Sequence, residues 1–243
     1  MAISVDTVYQ RVLAIANKEQ RGFITPQEFN LFANQAQMDI FEKYFYDLKQ
    51  FEQIHGNDTG HSDIVMFLQE KLSEFELHDV AVGSGTTLPN DLYRISNMYY
   101  TDASNHVIPI ERITKKELHE YRISPLPIVT ASRPVFVQTT SGVNCFSAIS
   151  ITGTTAITSN VKINYYQKPT TAYWGYVVVP NSSNGNEFPL FNAGTAVDFQ
   201  LHPSEENFLV LKILELAGFS IKSPEVVQGA NTKIAQEIQQ KKQ

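Results

Sequence analysis

Residues 25 to 52 constrain the chain more than any other stretch, because they join a start signal to an uninterrupted helical pattern. Thr25 is placed to cap, Pro26 suits the first turn, and Glu28 completes a capping box. Phe29, Phe32, Ala33, Ala36, Ile40, Tyr44, Leu48 and Phe51 recur at three- and four-residue spacing. This predicts an aromatic-rich stripe along a helix roughly 40 Å long. The other faces carry Asn30, Asn34, Gln37, Asp39, Glu42, Lys43 and Gln50, but also Phe41, Phe45 and Tyr46. That apolar arc is wider than one intramolecular neighbour covers, so Phe41, Phe45 and Tyr46 are expected to pack between subunits.

A first helix is expected to start at Ser4 or Asp6 with Val5, Val8, Val12 and Ile15 on one face. A third is expected from Ser62 or Asp63, with Ile64, Phe67, Leu68, Leu72 and Phe75 inward. From His78 the texture changes to short runs rich in Val, Ile, Thr and Tyr, punctuated by Gly83-Ser84-Gly85 and Pro89-Asn90-Asp91. Strands are expected near 92–101, 106–112, 134–139, 145–152, 160–167 and 173–179. Thr114 and Glu117 form a second capping box, which predicts a short helix over 115–122. Residues 181–194 read as a long loop. Pro203, Glu205 and Glu206 open a further helix that Gly218 is expected to end. Ser223-Pro224-Glu225 opens a last one, with Val226, Ala230, Ile234 and Ile238 four apart and a polar tip; Ile234 and Ile238 are further candidates for a subunit contact. The fold class expected is α+β: a helical bundle from 1–79 together with 201–243, and an inserted β-rich, sandwich-like module over 80–200.

Catalytic chemistry has little support in the residues. His55 and His61 are the only neighbouring histidines, and no Cys or carboxylate spacing makes them a metal set. Gly83-Ser84-Gly85 lacks the Gly-Lys-Ser/Thr of a phosphate loop. Glu205 and Glu206 are adjacent on a helix, so they point in different directions and serve its entrance. No Gly-x-Ser-x-Gly elbow is present. The expectation is a protein that is not an enzyme and needs no cofactor or metal. Nineteen basic against 25 acidic side chains argue against binding nucleic acid by phosphate neutralisation. One cysteine, Cys145, excludes an internal disulfide framework. The opening residues lack a secretory pattern and no apolar run reaches membrane length, so synthesis in a cytoplasm is expected. Tyr173, Trp174 and Tyr176 remain as clustered aromatics suited to stacking on a sugar or anchoring a protein partner.

Three parts of the chain carry a resemblance. Val8-Tyr9 with Asn17 to Asn30, and Leu201-His202-Pro203-Ser204-Glu205-Glu206 leading into Leu209 to Leu214, resemble virion structural proteins of crAss-like and other short-tailed bacteriophages. Leu92-Tyr93-Arg94-Ile95, Glu111-Arg112, Pro134-Val135-Phe136 and Asn164 to Pro169 are similar to the β-rich middle of head-to-tail connector and tail-adaptor proteins. The resemblance implies a homo-oligomeric ring, a dodecamer in such families, docked on the portal or on neighbouring neck and tail rings. Genomic DNA would pass through its lumen without sequence-specific binding, and the protein would reside in the virion after assembly in the bacterial host. The competing reading is a glycan-binding module of a tail or surface protein that uses Tyr173 and Trp174.

Overall fold

The structure is a computed structural model that describes residues 2–18, 24–53, 59–82, 88–124, 129–140, 142–150, 153–180 and 187–220, with 232, 233 and 236. In chain order the elements are α1 (Val5–Lys18), α2 (Pro26–Gln53), α3 (Thr59–Ser73), β1 (Glu76–Ala81), β2 (Leu92–Thr101), β3 (Val107–Pro109) and β4 (Glu111–Arg112). Next come α4 (Lys115–Ile123), β5 (Val135–Thr139), β6 (Gly142–Ser150), β7 (Gly153–Ala156), β8 (Val161–Gln167), β9 (Tyr176–Pro180), β10 (Glu187–Phe191), a 3-10 turn (Pro203–Glu205) and α5 (Glu206–Ser220). Helices and sheets both contribute heavily, so the chain is α+β.

The chain divides into two compact units, residues 1–74 with 169–243 and residues 75–168. These borders differ from the 79/80 and 200/201 expected. β1 belongs with the strands because it pairs antiparallel with β8. Residues 169–200 belong with the helices, for a reason found on α2. Asn30, Asn34 and Gln37 lie on one face of that helix and bond to the backbone of an extended segment. The Ala172 amide donates to Asn34 Oδ1 at 2.8 Å while Asn34 Nδ2 donates to the Ala172 carbonyl at 2.8 Å. The Trp174 amide donates to Asn30 Oδ1 at 2.8 Å, and Gln37 Nε2 donates to the Thr170 carbonyl at 2.7 Å. Four helical residues advance about 6 Å and two extended residues about 6.6 Å, so amides at i and i+4 meet alternate residues of an extended chain. The longer glutamine reaches the next one. These side chains do for the segment what a neighbouring strand would do.

Distant parts of the sequence meet in this unit. Ile3 and Phe199 form an antiparallel bridge, and the Val5 amide donates to Asp198 Oδ1 at 2.9 Å. α5 packs on α1 and α2, and α3 packs on α2. The capping box at the start of α2 is present: the Glu28 amide donates to Thr25 Oγ1 at 3.3 Å and the Thr25 amide to Glu28 Oε2 at 3.0 Å. Gly218 does not stop α5, which runs to Ser220. Ile15 and Phe67, expected inward, are 43% and 64% exposed, whereas Val5, Val8, Val12, Leu68 and Leu72 are buried as their spacing requires.

The second unit holds two four-stranded sheets, ordered β1-β8-β2-β3 and β4-β5-β6-β7, the β4–β5 pair being parallel. The run 106–112, expected as one strand, is broken at Ile110 so that its halves join different sheets. Ile110 is buried and its amide donates to the Met98 carbonyl at 2.8 Å. Met98, Ile163 and Tyr165 from one sheet meet Phe136, Val143 and Cys145 from the other in a single apolar cluster. On the remaining side of β5 and β6, Val135, Val137 and Ile149 cluster with Leu118 and Tyr121 of α4. α4 has the expected capping box, with the Glu117 amide donating to Thr114 Oγ1 at 3.3 Å and the Thr114 amide to Glu117 Oε2 at 2.6 Å. Strands β1, β7 and β10 were not among those expected. β1 is interrupted between Leu77 and Val80, where Asp79 takes a positive φ of 59°, so its alternation is broken.

Candidate functional site

The residues singled out as contact candidates separate into buried and exposed groups. Phe41 is fully buried within the single chain, which corrects its assignment to a subunit interface. α2 has several neighbours rather than one, among them α3, α5 and the extended segment held by its amides, and Phe41 is enclosed within the chain. Phe45 is half-buried and sets its ring edge against Phe41, with centroids 5.1 Å apart. Tyr46 is 66% exposed. Ile234 and Ile238, and the Gly83–Gly85 turn, lie outside the described residues.

Trp174 is also core. Its indole is 3% exposed, packs tilted against the Tyr9 ring with centroids 4.3 Å apart, and donates from Nε1 to Asp6 Oδ1 at 2.9 Å. A ring so enclosed has no face for a sugar, so the glycan reading loses its main residue. Tyr173 points the other way, is exposed, and bridges Val197 through its backbone. The strand expected from 173 therefore begins at Tyr176.

The unexpected feature lies just beyond Trp174. Residues 187–191, inside the stretch read as a loop, form β10 and pair antiparallel with β9 as an isolated two-stranded sheet. The Asn192 amide bonds the Gly175 carbonyl at 2.8 Å and sets the alternation of the ladder. It puts Pro189, opposite Val178, and Pro180, opposite Glu187, at the pairs without hydrogen bonds, where a missing N–H costs the ladder nothing. One face, comprising Tyr176 and Phe191, rests on Trp174 with ring centroids 6.0 and 5.6 Å away. The other carries Val177, Val179, Phe188 and Leu190, which are 50, 45, 56 and 63% exposed. An isolated hairpin is marginal in water, so this one depends on its anchored base. Gly175 is part of that base: a Cβ there would come 2.3 Å from Thr195 Oγ1 and 2.7 Å from the Asn192 carbonyl.

Single exposed apolar side chains also occur on the helices of the same unit. Met66 and Phe67 are 66 and 64% exposed on α3. Between α1 and α5 there is also an open groove of about 420 Å³ lined by Arg11, Ala14, Ile15, Val210 and Leu211.

Sequence reasoning missed Val177, Val179, Phe188, Leu190 and Met66. A signal for the hairpin was present: the Val177-Val178-Val179 and Phe188-Pro189-Leu190-Phe191 runs flank a polar connection that contains Asn184-Gly185. Among the described residues no group of three or more His, Cys, Asp or Glu side chains is arranged to hold a metal ion, and no helix is long and apolar enough to cross a membrane. Cys145 is buried against Met98, its sulfur 3.6 Å from the thioether, and burial pushes its thiol pKa up to about 11, the opposite of an activated nucleophile. No protein-family model matches the chain, and no curated protein matches it.

Proposed function

We propose that this chain is a ring-forming structural component of a bacteriophage neck or tail, a head-to-tail connector or tail adaptor that builds part of the DNA ejection channel and docks neighbouring rings. The single observation that carries the reading is the apolar, solvent-facing hairpin of β9 and β10. Contiguous exposed apolar surface marks a place where another protein sits. The resemblance of the terminal motifs to short-tailed phage virion proteins names the kind of assembly, and the closed helical unit with a β-rich insertion fits a bundle carrying a sandwich-like module. The formal charge of −6 suits a conduit whose wall must not hold DNA.

Particle mass tests it. The purified chain, alone and mixed with the portal of its phage, is expected to reach a closed particle many times its 27.4 kDa, visible as rings in negative stain. A chain that stays at its monomer mass at all concentrations and with the portal present overturns the reading.

A further inference from the structure

We infer that residues 221–243 form a strap that runs back along α5 and seats its apolar stripe in the groove between α1 and α5 of the same chain. The inference is independent of the ring reading, and it gives Ile234 and Ile238 a place in their own chain instead of a subunit contact. The groove, about 420 Å³, is lined by Ala14 and Ile15 of α1 and by Val210 and Leu211 of α5. Ile15 is 43% exposed there, although its spacing marks it as an inward residue. The polar lining is already satisfied, Arg11 donating to Glu206 at 2.7 Å and to Asn207 at 3.2 Å, so the open demand is apolar. One further lining residue, Lys233, belongs to neither helix and identifies the occupant.

Register and length agree with that occupant. Thr232, Lys233 and Gln236 are helical, as the start signal at Ser223-Pro224-Glu225 requires. Lys233 stands three and seven residues after Ala230 and Val226, so on a helix it borders the stripe of Val226, Ala230, Ile234 and Ile238. Thr232 and Gln236 fall on the opposite side, and both are exposed. A helix that brings Lys233 to the groove therefore turns the stripe toward it and the polar side to water. Val210 and Leu211 lie about 15 Å before Ser220, the last residue of α5, and the nine steps from Pro224 to Lys233 advance ~13.5 Å when helical. A helix returning antiparallel to α5 after a short turn thus reaches the level of those two side chains. Charge favours the same place. Residues 221–243 carry four lysines against Glu225 and Glu237, whereas the rest of the unit, 1–74 and 169–220, holds seven basic and 16 acidic side chains. A helix this short and polar, with Gly229 inside it, needs such a seat to persist.

The full chain carrying Ile15→Cys together with Ile234→Cys tests this by treatment with bismaleimidoethane, the products being read on denaturing gels and by peptide mapping. A link between positions 15 and 234 at monomer mass, absent from either single variant, is expected. The same link found only at dimer mass would put the strap in a neighbour's groove, and no link would deny it this seat; either result overturns the inference. Hydrogen exchange gives a second reading. Amides over 226–238 are expected to exchange roughly tenfold faster or more in Ile15→Asp than in wild type, while Ile123→Asp, at an exposed site on α4, leaves them unchanged. Unchanged protection in α2 shows that Ile15→Asp is folded, and where α2 loses protection too, the cross-link decides. Wild-type amides over 226–238 that exchange as fast as an unstructured chain overturn the inference. Particle mass enters none of these outcomes, so the ring reading stands or falls separately.

Discussion

Lys71 and Glu205 lie 2.6 Å apart with the carboxylate almost wholly enclosed, and the Tyr44 ring sits 5.7 Å from the same ammonium group. The Tyr44 hydroxyl is buried without a hydrogen-bond partner, and burial together with the Glu205 charge pushes its pKa up. A buried hydroxyl that finds no partner costs more than it returns, so Tyr44→Phe is expected to stabilise the fold by about 1 kcal/mol. Lys71→Met removes the ammonium group 2.6 Å from the enclosed Glu205 carboxylate and is expected to destabilise the fold by up to about 3–5 kcal/mol. Urea unfolding of the two variants measures both signs. Burial also raises the Cys145 thiol to about 11 and the Tyr9 phenol to about 12, from ordinary values of 9.0 and 10.0. The folded state keeps protons that the unfolded chain releases above those ordinary values. Stability from both groups is thus intact below pH 9 and falls as pH rises from about 9 to 12. Circular dichroism in fixed urea is expected to show the midpoint dropping across that window, with Cys145→Ser delaying the onset; a flat profile refutes the assignment.

Elements with local punctuation were legible in the sequence, and those made by distant partners were not. α2 and α4 announce themselves through Thr25–Glu28 and Thr114–Glu117, signals contained in four residues. Strand β2 runs over Leu92–Thr101 as expected, since its flanking turn and its β-rich composition are local too. The position of residues 170–174 was hidden because Asn30, Asn34 and Gln37 read as an ordinary solvated face. Amides on a helix carry no mark that says water or backbone. Phe41 misled for a related reason, as the number of neighbours around a helix is a tertiary property. For the hairpin the local signal is ambiguous: Asn and Gly in its connection suit a loop as well as a turn, although apolar runs stand on both sides. Its base has a sharp requirement. Gly175→Ala drives a methyl against the Thr195 hydroxyl and the backbone of Asn192 and Ala196, and is expected to cost about 1–3 kcal/mol. Asn34→Ala, which strips partners from the amide and the carbonyl of Ala172, is expected to cost at least about 2 kcal/mol. Thermal melts of both check the pair.

At the scale of the whole molecule, the two units make different demands on chain connectivity. Every residue of the two apolar clusters in the β-rich unit falls between Leu77 and Tyr165, a continuous piece of sequence. The helical unit is discontinuous. α1 and α2 lack α5 until the last third of the chain is made, and Ile3 waits for Phe199, Val5 for Asp198, and Asn34 for Ala172. A continuous core is closed by short loops, whereas a discontinuous one leaves buried groups unsatisfied in either fragment. An excised 75–168 fragment is therefore expected to unfold cooperatively in urea with dispersed amide resonances. A 1–74 fragment is expected to show helix without a cooperative transition, because α2 then lacks α5 and the 170–174 segment that pack and bond on it in the whole chain. Adding a 169–243 fragment in trans should restore the transition if the helical core depends on those partners. A cooperative 1–74 fragment, or a 75–168 fragment with collapsed resonances, would show that the borders at 74/75 and 168/169 do not separate independent folding units.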